Sequence, residues 1–288
     1  MDVKNLFLGS LSETINITLI ILVLMIVIEF LVLKYEKQLL KFFSKNKFWS
    51  YPLASFFGII PGCIGTFAMD TFYMAGLLGF GGLMSTMIAT SGDESFIMIS
   101  MMMAGEISFN SVMLLLVSLF ILGIFGGLLT NYLKKKFKIS VSKKCEVVNH
   151  HKKEFSLKHF LKEHIFHHII KKHIWKLFLW IFVAIFLIGF VSEFIDVSSV
   201  FANTNPFFLL LIAGLVGLLP ISGPNTFLLV LFSKSLIPFS VLLTNSIIQD
   251  GHGLLPIIGF SVDDAIKLKI INFFFGMIVG TVLILIGF

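Results

Sequence analysis

The sequence predicts an all-α polytopic membrane protein: two inverted repeats of about five membrane segments each, with broken or re-entrant helices at the midplane. Three observations carry that prediction. First, hydrophobic residues fill 57% of the 288 positions and charged residues only 13%, against roughly 25% charged in a soluble domain, and the mean hydropathy is +0.99. The apolar runs are continuous rather than alternating, which argues against a strand barrel. Second, Gly58-Ile59-Ile60-Pro61 leading to Ser91-Gly92-Asp93-Glu94 recurs 159 positions later as Gly217-Leu218-Leu219-Pro220 leading to Asp250-Gly251-His252-Gly253. Helix-breaking Gly and Pro beside ionisable groups, in corresponding places of two halves, point to a site at the membrane midplane. Third, 18 of the 22 basic residues lie in two loops, which the positive-inside rule places on the cytoplasmic face.

Taken in order, Ile15 to Leu33 is a span, too long for a cleaved signal core, and it is followed by a loop holding Lys34, Lys37, Lys41, Lys45 and Lys47. Leu53 to Glu106 is interrupted at Pro61-Gly62, at Gly79 to Gly82 and at Ser91 to Glu94, and reads as three short or broken segments. Ser111 to Tyr132 is a span that runs into Lys134, Lys135, Lys136 and Lys138. The second half repeats the scheme with a span from Ile174 to Phe190, a broken region from Pro206 to Phe260 and a last span from Ile270 to Ile286. The organisation is a first repeat over 11–133, a basic His-rich connector over 134–172 and a second repeat over 173–288. Both lysine-rich loops face the cytoplasm only if an even number of crossings separates them. Five crossings per half, ten in all, satisfy this and invert the second half relative to the first.

The ionisable residues inside the apolar body are the candidates for chemistry, because a carboxylate at a bilayer centre costs about 2.5–3.5 kcal/mol on insertion scales and marks an ion or proton route. Asp93 and Glu94 form one acidic turn; Gln249, Asp250 and His252 form the other. If the repeat brings the turns together, Asp93, Glu94, Asp250 and His252 make an oxygen and nitrogen ligand set for a divalent metal. The bland alternative is a pair of exposed polar turns. Asp70, Thr90, Ser91, Asn225, Asn245, Gln249 and Cys63 are expected along the substrate pathway, and Pro61, Gly62, Gly92, Pro220 and Gly251 supply the backbone breaks. Thr66 corresponds to Asn225, and Thr86 to Asn245. Methionines such as Met84, Met87, Met98 and Met101 favour softer metals but read better as packing. His150, His151, His159, His164, His167, His168 and His173 crowd the connector; a metal-holding helix and a basic helix lying on anionic lipid are both open there, and the second is preferred.

With Ile60-Pro61-Gly62-Cys63, Ala89-Thr90-Ser91-Gly92-Asp93-Glu94 and Gln249-Asp250-Gly251-His252-Gly253 in view, the chain resembles a bacterial and archaeal family described as ten-helix heavy-metal exporters, whose members are labelled arsenic-efflux-like or manganese transporters. The resemblance implies a permease of a prokaryotic cytoplasmic membrane with Asp93, Glu94, Asp250 and His252 as its polar signature. With Cys63 as the single thiol of the membrane body, arsenic is disfavoured and a manganese-like ion preferred. No Walker A sequence is present, so ion-gradient coupling is expected, with protons as the counter-ion. Beyond the transported metal no cofactor is expected, and the partners are the lipid bilayer, the metal cation, protons and a second copy in a homodimer, with no nucleic acid. The runner-up is an enzyme of the undecaprenyl-diphosphate phosphatase type, whose Pro-Gly-x-Ser-Arg-Ser motif looks like Pro61-Gly62-Cys63-Ile64-Gly65-Thr66. Ile64 and Gly65 stand where its serine and arginine should be, and the chain has no arginine to grip a diphosphate.

Overall fold

The computed structural model describes residues 4–19, 22–23, 26, 49–74, 76–141, 174–192, 204–219 and 223–288. Among them the backbone is helical, with no strand. After a helical segment at 4–19 come α1 (Ser50–Ile59), α2 (Ile64–Met74), α3 (Phe80–Ala89), α4 (Glu94–Met103) and α5 (Phe109–Lys136), then α6 (Trp175–Ser192), α7 (Pro206–Gly217), α8 (Gly223–Ser233) and α9 (Phe239–Ile248). A 3₁₀ turn at Gly251–Gly253 leads into α10 (Leu254–Phe260) and α11 (Val262–Leu285). The connector from 142 to 172 with its histidines, His173 and Pro220 lie outside the described residues.

Helix lengths follow from where the sequence places its breakers. α5 and α11, with 28 and 24 residues, are long and apolar enough to cross a bilayer. Their exposed faces carry large apolar side chains about one turn apart, Val117, Ile121 and Phe125 on α5 and Ile270, Phe274 and Ile278 on α11. That is the pattern of a lipid-facing surface, since hydrocarbon rather than water lies outside it. The helices α1 to α4 hold 10 or 11 residues each. At 1.5 Å per residue they are about 15 Å long, roughly half the hydrocarbon thickness. Pro61-Gly62 and Ser91-Gly92 end one helix and start the next, and the two breaks touch: the Gly62 amide donates to the Gly92 carbonyl at 3.0 Å.

The two halves pack their helices alike. In one half α1, α3 and α5 pack together, and in the other α7, α9 and α11 do so. The Thr86 hydroxyl donates to the Ala54 carbonyl at 3.1 Å, and 159 positions later the Asn245 amide donates to the Ala213 carbonyl at 3.0 Å. A Cβ on Gly127 would strike the Ser85 side chain, and one on Gly280 would strike Thr244, the residue equivalent to Ser85. Small residues at these points let helices approach closely without any gain from the hydrophobic effect, as association in lipid requires. α3 also packs on α9 and α11, so the two halves share one core.

Candidate metal centre

Three short helices begin where the chain breaks, and each start carries one ligating side chain. Cys63 precedes α2, Asp93 is the N-cap of α4, and His252 sits in the 3₁₀ turn that opens α10. The left-handed conformation needed to turn at Gly92 (φ +50°) and at its equivalent Gly251 (φ +51°) is one that glycine adopts without steric cost. It brings both turns to the same point. His252 Nδ1 lies 3.6 Å from Asp93 Oδ2, Cys63 Sγ donates to Asp93 Oδ1 at 3.7 Å, and Cys63 Sγ stands 4.0 Å from His252 Nδ1. Ligand atoms bound tetrahedrally at about 2.0–2.3 Å stand roughly 3.3–3.8 Å apart, so a thiolate, a carboxylate and an imidazole are spaced to hold one transition-metal ion after small adjustments. Cys63 and Asp93 are buried, whereas 27% of the His252 side chain is exposed. One flank of the site is therefore reachable.

Of the four ligands expected from the sequence, the structure brings Asp93 and His252 together and adds Cys63 to them. Glu94 is turned aside and accepts from Gln249 Nε2 at 3.1 Å. Asn225 Nδ2 donates to Gln249 Oε1 at 3.5 Å and Asn225 Oδ1 accepts from Asn245 Nδ2 at 2.9 Å, so an amide chain ties the first acidic turn to the second half. The equivalent pair in the first half is Thr66 and Thr90, with hydroxyls 3.0 Å apart. Ser91 bonds Ser95 within the turn. Asp250 is held elsewhere: Lys269 Nζ lies 2.7 Å from its Oδ2, and Asn272 Nδ2 donates to Oδ1 at 2.9 Å. Asp70 is wholly buried, and neither of its carboxylate oxygens has a hydrogen-bond partner among the described residues.

A family model with the description "Putative, 10TM heavy-metal exporter" matches residues 3–206 and 179–286, two overlapping stretches that cover nearly the whole chain. The chain belongs to this family. The resemblance noted from the Pro-Gly-Cys and Ser-Gly-Asp-Glu motifs is thereby established, and membership makes the chain a multi-pass membrane protein of a heavy-metal exporter family. It does not favour the lipid-diphosphate phosphatase. Neither the comparison with curated proteins nor that with solved structures gives a match. Lys269 and Asn272, which hold Asp250 beside the candidate site, are neighbours that sequence reasoning overlooks. Their signal was a lysine and an asparagine within or beside an apolar span, which in a membrane helix marks a group that needs an internal partner.

Proposed function

We propose that this chain is a secondary-active exporter of a divalent heavy-metal cation, gripped midway by Cys63, Asp93 and His252. The observation that carries the reading is the convergence of these three ligating atoms, all within 4.8 Å of one another, at three helix starts drawn from both halves. Three protein ligands leave a coordination position open, as suits an ion that must leave again. Carboxylates and an amide alone favour manganese. With Cys63 inside the cluster, zinc and cadmium are the preferred cargo, because thiolate ligands select softer ions and manganese stands lowest in divalent affinity.

The proposed architecture is a pair of inverted halves with re-entrant or broken helices meeting at the midplane. In support of inversion, the equivalent helices α5 and α11 run antiparallel. Phe125 meets Phe275 near their middles, while Lys267, near the start of α11, donates to the Ser140 carbonyl just beyond the end of α5 at 2.8 Å. The end of α5 carries Lys134, Lys135 and Lys136, which on the positive-inside rule marks the cytoplasmic face of a prokaryotic inner membrane. Protons are the proposed counter-ion, since no nucleotide-binding loop is present in the sequence.

The test is cellular metal content and growth across zinc, cadmium, manganese and arsenite, comparing wild type with Asp93→Asn. The variant should accumulate zinc or cadmium several-fold and lose most of the resistance. A shift confined to manganese would restore the manganese reading, and no shift for any metal would remove the exporter.

A further inference from the structure

α2 carries more than its ligand. Cys63, Thr66, Asp70 and Tyr73 recur at steps of three, four and three, which stacks them along one face of the helix. The helical register runs through the first of them, since the Phe67 amide donates to the Cys63 carbonyl at 2.9 Å. At 1.5 Å per residue Asp70 stands about 10 Å from the metal cluster along that face. All four side chains are buried. At the far end the Tyr73 hydroxyl donates to Asp264 Oδ2 at 2.8 Å. Asp264 lies in the first turn of α11 beside Asp263, whose side chain is 68% exposed and paired with Lys267. That turn sits against Ser140, the edge of the bundle where the lysines of α5 emerge.

The middle of this stripe poses an electrostatic problem. An ionised carboxylate buried without a partner is costly in a low-dielectric interior, yet both Asp70 oxygens lack a hydrogen-bond partner among the described residues. Asp250 is near enough to act on Asp70 with its own negative charge, but Lys269 and Asn272 already occupy Asp250. Of the elements packed on α2, α1 brings Tyr51 as its one titratable residue, α3 and α10 bring none, the 3₁₀ turn brings His252 with Asp250 just before it, and α11 meets the far end of α2 through Asp264. A single carboxylate between a threonine and a tyrosine offers too few ligands to dehydrate a divalent ion, which takes six or more oxygens if hard or about four mixed ligands if softer. A proton needs one oxygen and no cavity.

Resting on the exporter reading above, we propose that Asp70 carries the counter-transported proton and that Tyr73 and Asp264 form its route to the basic edge of the bundle, with Thr66 on the side of Asp70 that faces the metal cluster. The exchange is one proton per cation through this residue, with nothing oxidised or reduced. When the cation binds Cys63, Asp93 and His252, the Cys63 thiol proton is released to the side from which the cation entered, and the proton on Asp70 leaves through Tyr73 and Asp264 to that same basic side. When the cation departs on the other side, Cys63 and Asp70 each take a proton from there. Coupling comes from charge: an ionised Asp70 about 10 Å away favours the dication, and a protonated one does not.

The experiment uses the full chain in proteoliposomes with cadmium and zinc as probes, an entrapped pH-sensitive dye and isotopic cadmium. Asp70→Asn, which stays neutral, should bind cadmium more weakly, keep cadmium–cadmium exchange at saturating cadmium within about threefold of wild type, and move about half as many protons per cadmium, the remainder coming from the Cys63 thiol. Asp70→Glu should restore the wild-type ratio, and Tyr73→Phe should slow proton movement without altering equilibrium cadmium binding. An unchanged proton-to-cadmium ratio in Asp70→Asn, or loss of cadmium–cadmium exchange at saturating cadmium, would overturn the proposal. If wild type exchanges cadmium for protons and Asp70→Asn does so equally, this inference alone falls; if wild type moves no metal, the exporter reading falls and takes it along.

Discussion

On the proposed reading, the choice of metal is decided at Cys63. A sulfur 3.7 Å from Asp93 Oδ1 and 4.0 Å from His252 Nδ1 turns an oxygen and nitrogen pair into a mixed set that prefers polarisable cations. Replacing sulfur by oxygen in Cys63→Ser keeps the volume nearly constant, so the fold should be unaffected while the preference changes. We expect cadmium affinity in detergent-purified protein to fall by at least tenfold and the ultraviolet sulfur-to-cadmium charge-transfer band to vanish, with manganese binding little altered. Retention of that band would place the thiolate elsewhere. The convergence of Asp93 with His252 could be expected from the sequence because both follow breaker residues in corresponding places of a duplication. Cys63 could be expected only along the pathway, not as a direct neighbour of those two. Cys63 belongs to the other break of its own half, and only the Gly62 to Gly92 hydrogen bond, a contact between residues 30 positions apart, brings the two breaks into register.

At the scale of elements, short half-length helices leave carbonyls unpaired at their ends, and Lys269 of α11 serves two of them. Its ammonium donates to the carbonyls of Gly217, the last residue of α7, and Ile248, the last of α9, both at 2.9 Å. Cations are favoured at helix C-termini, and the same group neutralises Asp250. Lys269→Met retains the apolar stem but strands a buried carboxylate and two carbonyls, so it should cost about 3–5 kcal/mol, as removal of one partner of a buried pair does. Thermal or denaturant unfolding in detergent would measure it. Asp250→Asn combined with Lys269→Met should recover part of the loss; full additivity of the two changes would mean that the pair does not interact. The spans Ser111 to Tyr132 and Ile270 to Ile286 were readable from hydropathy alone, though their helices extend to Phe109–Lys136 and Val262–Leu285. The extension arises because capping lies outside the apolar run: Ser108 accepts from the Ser111 amide and Ser261 from the Asp264 amide. The half-helices were legible as interruptions, but composition says nothing of which helix ends meet. That is fixed by amide and hydroxyl pairs such as Asn225–Gln249 and Thr66–Thr90.

For the molecule as a whole, the sharing of one core by two halves means that connections outside the spans also register its state. Glu106 lies between α4 and α5, with Glu13 of the N-terminal helical segment and Lys234 beyond α8 acting on it. Burial, and then the negative charge of Glu13, push its carboxyl up from the usual range to about 7, against a smaller opposing pull from Lys234. An acid whose folded value lies above its unfolded one binds its proton more tightly in the native state, so the linkage slope is negative between the two. Stability from this group is therefore full below about pH 4.5, declines as pH rises toward 7 and is level above that. Melting of the detergent-solubilised protein from pH 5 to 8 should show this decline, and Glu106→Gln, which stays neutral throughout, should flatten it while raising the melting temperature at pH 8. An unchanged slope in the variant would mean that other groups set the pH response. Because Glu106 and Lys234 flank α5 and α8, which come from different halves, the same titration reports how tightly the halves are held together at the end of the molecule opposite the Lys267 contact.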